Sequence, residues 1–478
     1  MEPKHQVATG LGSCPAEILY LIFKLLSRPE LHALCLVNKD FRTIVEPLLY
    51  SKIQMTWRKA RSHVPPPITQ LLRTILSRPQ LAAYITNVHL EGDTYLLVDK
   101  FRWKIPKIPV SDAELDQIIT FIRGSGVPYS DLWIQELRQG TIDAFVALLL
   151  AQLSNLKYLY LADDFTRQTA LIGMVLRSAI CEPGISRLPD FRHLQDISFL
   201  YPNGEDKARD KKVKNTTDIL PFLYLPSVQR MSASIENPIE FTWPAAHLPV
   251  PSKLISLDLT TVRESYLGKL LAVTQNVEAL RWQWYYDYGV RDRFTTPIVD
   301  LDRFTAAISH VRGTLADLTV SADVDIGGND QFLPGIKMEG SLHAMVNFDM
   351  LRRLQVPWPF LVGFVPGTTE RWQDLMPRNI EFLVITDDLR YQNADLMAPE
   401  WPQWEWEHST ILGVLQTWLK DWKAYTPHLC RISLVISLLD DEPDDWCPRL
   451  RHQLRELGAQ AEVQLELIDL TGEDTGNF

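Results

Sequence analysis

The stretch LKYLYL, residues 156–161, has an apolar residue at its first, fourth and sixth positions. The last two apolar positions are two residues apart, as in a β-strand with one buried face, and the first makes the turn into that strand. The same six-residue word occurs ten times in the chain, so we predict ten strands of one kind. The copies begin at Ile85, Leu156, Leu194, Val228, Leu254, Val277, Leu315, Leu351, Ile380 and Leu429.

Amphipathic stretches with helical spacing lie between several copies of the word. They cover residues 141–153, 165–180, 266–274, 301–311 and 409–422. Strand and helix therefore alternate, which predicts an α/β fold of parallel strands joined by helical crossovers. The longest interval between two starts, 71 residues after Ile85, predicts a further, unrecognised unit near DLWIQEL (131–137).

This spacing resembles the leucine-rich repeat, whose consensus LxxLxLxxN it matches in the first six positions. The resemblance implies a stack of units with a curved, mostly parallel sheet. A doubly wound α/β enzyme is the alternative, but that fold normally has a glycine-rich phosphate turn, and only GSG at 124–126 comes near it. At the Asn position of the consensus, five copies have an acidic residue, namely Asp93, Asp164, Glu236, Asp323 and Asp388.

Composition narrows the class of protein. The chain has 478 residues, 46% of them hydrophobic and 22% charged, which predicts a large globular core. The net charge of -11 argues against nucleic-acid binding, and no apolar run is long enough for a membrane span. Neither zinc-site spacing nor any nucleophile or phosphate-loop motif occurs. We expect a cytoplasmic or nuclear protein that is not an enzyme, with no metal and no cofactor.

Residues 11–50 form a different kind of block, in which three short helices are predicted. Pro15 suits the first position of a helix, and Pro47 is expected to end the third helix. The first helix is predicted to gather its apolar residues on one face, made by Ile18, Leu19, Ile22, Phe23 and Leu26. Since a block of this size needs a neighbour to stay folded, it is either a docking module or a cap on the repeat stack.

The segments CPAEILYLIFKLL and PELHALCLVNKDFRTIVEPLLY, residues 14–50, are similar to an F-box. Cys14 stands where that family usually has Leu. The resemblance implies the substrate-recognition subunit of an SCF-type ubiquitin ligase, which docks on the Skp adaptor and, through it, on a cullin. Phe41 and Leu34 are expected in the core of the block. The residues implied to contact the adaptor are Pro15, Ile18, Leu19, Ile22, Leu31, Val37 and Leu49.

Three segments are predicted in order: an F-box over 11–57, a basic and proline-rich linker over 58–82, and a leucine-rich-repeat-like domain over 83–470 that binds the target protein. Loops that follow the strands are acidic, so a target with a basic segment is expected there, unless the acids only satisfy backbone donors in the turns. The alternative function is a repeat scaffold acting outside a ubiquitin ligase. The candidate target-binding residues are Asp163, Asp287, Asp325, Asp387, Trp284 and Tyr285.

Overall fold

The fold is described from a computed structural model of the chain. It divides into two compact units, Met1–Leu200 and Tyr201–Phe478. The described residues are 11, 14–57, 67–92, 107–110, 112–166, 170–199, 216–235, 237–238, 240–287, 296–325, 335–366, 371–393, 406, 408–437 and 448–470.

The first unit begins with three helices and then alternates strands with helices. Its helices are α1 (Ala16–Phe23), α2 (Arg28–Cys35), α3 (Lys39–Ser51), α4 (Ile68–Ser77), α5 (Asp112–Ser125), α6 (Ser130–Gln139), α7 (Ile142–Leu150), α8 (Asp163–Thr166) and α9 (Ala170–Ile180). Its strands are β1 (Lys52–Trp57), β2 (Asn87–Gly92), β3 (Tyr158–Leu161) and β4 (Asp196–Phe199).

The second unit is richer in strands. Its helices are α10 (Thr216–Ile219), α11 (Glu264–Leu271), α12 (Leu301–Ile308), α13 (Trp358–Val362), α14 (His408–Trp418), α15 (Trp422–Tyr425) and α16 (Pro448–Ala461). Its strands are β5 (Arg230–Ser234), β6 (Ser256–Thr260), β7 (Ala279–Asp287), β8 (Ile298–Asp300), β9 (Asp317–Asp325), β10 (Lys337–Glu339), β11 (Arg353–Pro357), β12 (Phe382–Thr386), β13 (Arg431–Ser437) and β14 (Gln464–Leu470).

Parallel strands in chain order make up the sheet of each unit. The order is β1-β2-β3-β4 in the first unit and β5-β6-β7-β9-β11-β12-β13-β14 in the second, where β8 and β10 form a separate parallel pair. All ten copies of the predicted word are strands, so the prediction of an α/β fold with sequential parallel strands is confirmed. Neither unit reverses its strand order, as a doubly wound sheet would.

Burial explains why the word recurs. The fourth and sixth positions face the core, as Leu159 (2% exposed) and Leu161 (0%) do. The first position is also buried in every copy, at 3% exposure for Leu429 and 0% for the other nine. This side chain packs under the turn that enters the strand, so each copy of the word contributes three apolar residues to the core of its unit.

Besides the separate pair β8 and β10, two strands lie outside the ten copies, one in the sheet of each unit. β1 has the same pattern in YSKIQM (50–55), but an aromatic residue, Tyr50, stands at the first position. β14 has Glu462 at the corresponding position, three residues before the buried Leu465. A search for Leu, Ile or Val at the first position therefore misses both strands.

The prediction of a further strand unit at 131–137 is wrong, because these residues lie in α6. Trp133, Ile134 and Leu137 recur at helical spacing and are all buried, and the indole N–H of Trp133 donates a 3.0 Å hydrogen bond to the carbonyl of Ala144. Gly140, with φ at 74°, ends the helix in the left-handed conformation. The long interval is filled by α5, α6 and α7.

Pro47 does not end the third helix, contrary to the sequence prediction. It lies inside α3, which continues to Ser51. An internal proline costs about 3 kcal/mol because it removes one N–H and its ring crowds the preceding turn. Burial of Val45 and the packing of Leu48 and Leu49 on the core of the block offset that cost.

Part of the predicted linker is folded. Within 67–82, helix α4 and the turn after it bury Ile68, Leu72, Ile75 and Leu81 at 1% exposure or less. Residues 58–66, which carry the basic and proline-rich run, lie outside the described residues.

Candidate functional site

The three N-terminal helices pack around a small core of their own. Phe23 and Phe41 meet edge to face, with ring centroids 5.3 Å apart and planes at 73°, an arrangement that aromatic pairs favour. The fully buried Val45 closes the cluster from α3. Leu19, 4% exposed, and Leu31, 6% exposed, complete it. Of the two residues expected in this core, Phe41 is buried and Leu34 is half-buried against it.

Local sequence signals set the starts of the second and third helices. The side chain of Glu30 accepts hydrogen bonds from the backbone N–H and the hydroxyl of Ser27, both 2.7 Å long, and these bonds lower the pKa of Glu30. Asn38 caps α3 by accepting a 2.7 Å bond from the N–H of Phe41. The two caps fix where each helix begins relative to the shared core.

Helix α1 is apolar on both faces, whereas the sequence analysis predicted a single apolar face. Leu19 and Phe23 point into the core. Ile18 (46% exposed), Leu21 (60%) and Ile22 (39%) point away from it. With Leu25, which is 86% exposed just after the helix, they recur at intervals of three and four residues and so form one stripe. We call residues 18, 21, 22 and 25 the exposed stripe.

The predicted adaptor contacts divide between these two environments. Ile18, Ile22 and Val37 (62% exposed) are at the surface, and Pro15 is also exposed. Leu49 is half-buried. Leu19 and Leu31 belong to the core of the block and present almost no surface to a partner. Leu21, Leu25 and Leu36 (76% exposed) were not among the candidates, although the spacing of Leu21 and Leu25 from Ile18 is the signal that identifies them.

The N-terminal helices are joined directly to the first strand, because β1 begins at Lys52 and pairs in parallel with β2. The backbone N–H of Thr86 donates a 2.9 Å hydrogen bond to the carbonyl of Ser51. Glu46 on α3 accepts two 2.8 Å bonds from Arg78. Partial burial acts to raise the pKa of Glu46, but the hydrogen bonds from Arg78 and Arg42 outweigh it and lower the pKa.

In the second unit, several candidate acids lie at the carboxyl ends of neighbouring strands. Asp287 at the end of β7 is the register partner of Asp325 at the end of β9. Asp387 directly follows β12 and forms an ion pair with Arg390 at 3.0 Å. The structure therefore brings three of the four candidate aspartates to one edge of this sheet. Asp163 is in the first unit, where it begins α8.

Two acids at the consensus Asn position satisfy backbone donors. Asp388 accepts a 2.8 Å hydrogen bond from the N–H of Ala322, and Asp323 accepts one of the same length from Val324. Burial raises the pKa of Asp388 to about 7. Both acids thus satisfy backbone donors, but the donors lie within β9, and for Asp388 the donor is distant in sequence, so neither bond is the local turn contact given as an alternative above. Asp93 and Glu236 lie outside the described residues, and the side chain of Asp164 is likewise not described.

The aromatic candidates are inside the protein. Trp284 is 0% exposed and Tyr285 is 4% exposed. The guanidinium carbon of Arg263 lies 4.6 Å from the centre of the Trp284 ring, and Arg263 also donates to the carbonyls of Thr296 and Ile298. Burial lowers the pKa of Arg263. These contacts give Trp284 and Arg263 a packing role, and the burial of Tyr285 leaves it little surface for a partner.

No family model matches the chain, and no curated protein matches it. Within the part of the chain that the structure describes, no helix is long and apolar enough to cross a membrane. Among the same residues, no group of three or more His, Cys, Asp or Glu side chains is placed to hold a metal ion.

Proposed function

We propose that this chain is the substrate-recognition subunit of an SCF-type ubiquitin ligase. In this proposal the N-terminal helices are an F-box that docks on the Skp adaptor and, through it, on a cullin. The strand and helix units form an irregular leucine-rich-repeat-like solenoid that holds a target protein. Nothing in this role requires the chain to do chemistry: it raises the effective concentration of a target lysine near the conjugating enzyme.

The exposed stripe is the observation that carries the docking role. Three large apolar side chains on one face of α1, together with Leu25 just after its end, lose the hydrophobic stabilisation that burial would provide, about 25 cal/mol per Å². Single exposed apolar residues are ordinary, but a contiguous group is typical of a binding surface. An apolar helix face that fits a groove on a partner is an established recognition mode.

The order of the strands supports the proposal that the rest of the chain is built from stacked repeats. Each copy of the word provides one parallel strand next to the strand of the neighbouring copy, as in a protein built by stacking units. For the target we propose a basic segment that lies against the acidic edge, with Asp287 and Asp325 as contacts. In the first unit, Asp163 begins α8 shortly after β3, and we propose it as the target contact of that unit.

Affinity purification of the intact protein, scored by mass spectrometry for Skp adaptor and cullin, tests the proposal. The informative variant is Ile22→Glu with Leu25→Glu, which places two charges on the exposed stripe. Because loss of interface anchors typically costs 2 kcal/mol or more, recovery of the adaptor should fall by at least about tenfold. The melting temperature should not change, because both side chains are exposed.

The matched control is Ile185→Glu, which charges an apolar side chain of the same unit that is 65% exposed. It should recover as much adaptor as the unaltered protein does. If adaptor and cullin never co-purify with the intact chain, the ligase role is wrong, and the alternative of a repeat scaffold acting outside a ligase takes its place.

A further inference from the structure

In the sheet of the second unit, charged and polar side chains form rows on the face opposite the buried leucines. One row crosses five adjacent strands, β9, β11, β12, β13 and β14. Its members are successive register partners, so they lie side by side on neighbouring strands. We call this set the arginine row; it consists of Asp317, Arg353, Phe382, Arg431 and Gln464.

An aromatic ring at the centre of the row lies between two guanidinium groups. The guanidinium carbon of Arg353 is 5.4 Å from the centre of the Phe382 ring, and that of Arg431 is 6.0 Å from it. Both distances are within the range in which a cation is attracted to an aromatic ring. The ring therefore holds the two arginine side chains on the same open face, one on each side of it.

The acids beside this row are held loosely. Asp317 approaches the Nε of Arg353 at 3.7 Å, and Glu466 approaches Arg431 at 3.9 Å, so neither pair is the close bidentate type. Glu466 is also engaged by Ser433 at 2.5 Å and by Gln464 at 3.1 Å. The two arginine side chains are 58% and 44% exposed. Their planar donors can therefore reach a further anion.

The spacing of the row sets the kind of ligand that fits. Arg353 and Arg431 are two strands apart, which corresponds to about 10 Å along the sheet. An extended peptide advances about 3.4 Å per residue and its alternate side chains share one face. Acidic residues two positions apart are therefore about 7 Å apart on the same face, within reach of the two long arginine side chains. The side chain between them points away from the sheet, so the two acidic groups alone face the row. A nucleic acid fits less well, because its affinity requires many phosphate contacts and the row offers two arginines.

We propose that the arginine row binds an extended acidic segment of the target protein, with carboxylates or phosphates on alternate residues. That the segment belongs to a ligase target rests on the receptor role proposed above, whereas the binding chemistry does not. The row is distinct from the acidic edge at Asp287 and Asp325, so the two surfaces select different parts of a partner.

Fluorescence anisotropy with the full-length protein tests this proposal without any adaptor. The probe is a labelled nine-residue peptide, Gly-Glu-Leu-Glu-Gly-Glu-Leu-Glu-Gly, compared with versions that have Gln or phosphoserine in place of Glu. We expect saturable binding of the Glu or the phosphoserine peptide, and at least tenfold weaker binding of the Gln peptide. Whichever of the Glu and phosphoserine peptides binds more tightly shows whether the row favours carboxylates or phosphates.

Arg353→Ala and Arg431→Ala should each weaken binding of the anionic peptide by about tenfold, because each removes charge-assisted hydrogen bonds. Arg353→Lys should retain part of the affinity. The matched control is Arg312→Ala, which removes an exposed arginine away from the row and should change nothing. The melting temperature of each variant shows whether it is folded.

Equal binding of the Glu and Gln peptides, or binding unaffected by both alanine variants, would overturn the proposal. So would preference for a lysine-containing peptide or an oligonucleotide at the same residues. If the intact protein binds the anionic peptide but does not bind the adaptor, the proposed ligase role is contradicted. The proposal for the arginine row then still stands.

Discussion

A buried carboxylate in the first unit links stability to pH. Asp143 on α7 is 7% exposed, and its two oxygens accept hydrogen bonds from the N–H groups of Leu171 and Ile172 at 2.7 and 3.0 Å. These donors lie in the first turn of α9, so Asp143 caps a helix that is distant in sequence. Burial raises the pKa of Asp143 from 3.8 to about 7, against the effect of the two donors.

The raised pKa predicts that this group stabilises the fold less as pH rises. Below about pH 4 both the folded and the unfolded states carry the proton. Between about pH 4 and pH 7 only the unfolded state ionises, so the free energy of unfolding falls, by an amount on the order of 4 kcal/mol. Above pH 7 the contribution is constant.

Thermal unfolding of Asp143→Asn from pH 4.5 to 8.5 checks this expectation. Asn resembles the protonated acid and cannot ionise, so the melting temperature of the variant relative to the unaltered protein should rise with pH. Asp116→Asn, on the polar side of α5, serves as the control and should leave the pH profile unchanged. A constant offset between Asp143→Asn and the parent at every pH would contradict the prediction.

Single residues show where sequence reasoning ends. The alternation of β7 predicts a packed Trp282, and it is 0% exposed with its indole N–H bonded to the carbonyl of Val262 at 2.9 Å. Tyr285 falls on the opposite phase, which local pattern makes a surface position, yet it is 4% exposed. Alternation reports which way a side chain points along one strand. It does not report what covers the other face.

Among the elements, the end of α6 depends on one glycine. Gly140 has φ at 74°, and a Cβ there would lie 2.2 Å from the carbonyl oxygen of Ile108, too close for any real contact. The N–H of Ile108 also donates to the carbonyl of Gly140 at 2.8 Å. Gly140→Ala should therefore destabilise the protein by at least 1 to 2 kcal/mol, roughly the cost of the left-handed conformation alone.

Gly124→Ala is the matched control for Gly140→Ala. Gly124 lies within α5, and nothing is within 4 Å of the Cβ that the substitution would add. Alanine is favoured over glycine inside a helix by roughly 0.5 to 1 kcal/mol, so this variant should melt at the same or a higher temperature. Comparable losses in both variants, measured by scanning fluorimetry, would show that the conformation of Gly140 is not the cause.

Helix α1 illustrates what an element's pattern can and cannot reveal. Its apolar residues identify a helix, but Ile18 and Leu19 are adjacent in sequence and about 100° apart around the axis. One is 46% exposed and the other 4%. The prediction of one apolar face for α1 therefore combined a buried face with an exposed one. Only the position of α3 against Leu19 and Phe23 separates the two.

Across the whole molecule, the fold was largely predictable because one local pattern is repeated. Every copy of the word needs the same three buried side chains, so errors at single positions do not alter the assignment. The ends are different, since β1 and β14 replace the first aliphatic residue of the word by Tyr50 and Glu462. A docking surface is harder to predict, because it is defined by side chains that the fold does not bury.

The N-terminal helices are continuous with the sheet of the first unit and also carry the exposed stripe, on which the proposed docking role rests. Toward the sheet of the first unit they act as a cap: α3 leads directly into β1, Ser51 accepts a bond from Thr86, and Glu46 accepts two from Arg78.

Deletion of residues 1–57 should therefore cost stability as well as adaptor binding. It removes β1 and leaves the six residues of β2 without their parallel partner on that side, which exposes backbone donors and the apolar side chains of Val88 and Leu90. The melting temperature should fall by several degrees. The double variant Ile22→Glu with Leu25→Glu should instead lose the adaptor at an unchanged melting temperature.

If the deleted chain melts like the intact one, the helices are a separate body and their capping role is wrong. If the double variant melts as low as the deletion, the exposed stripe is part of the packing, and the docking surface must be sought elsewhere.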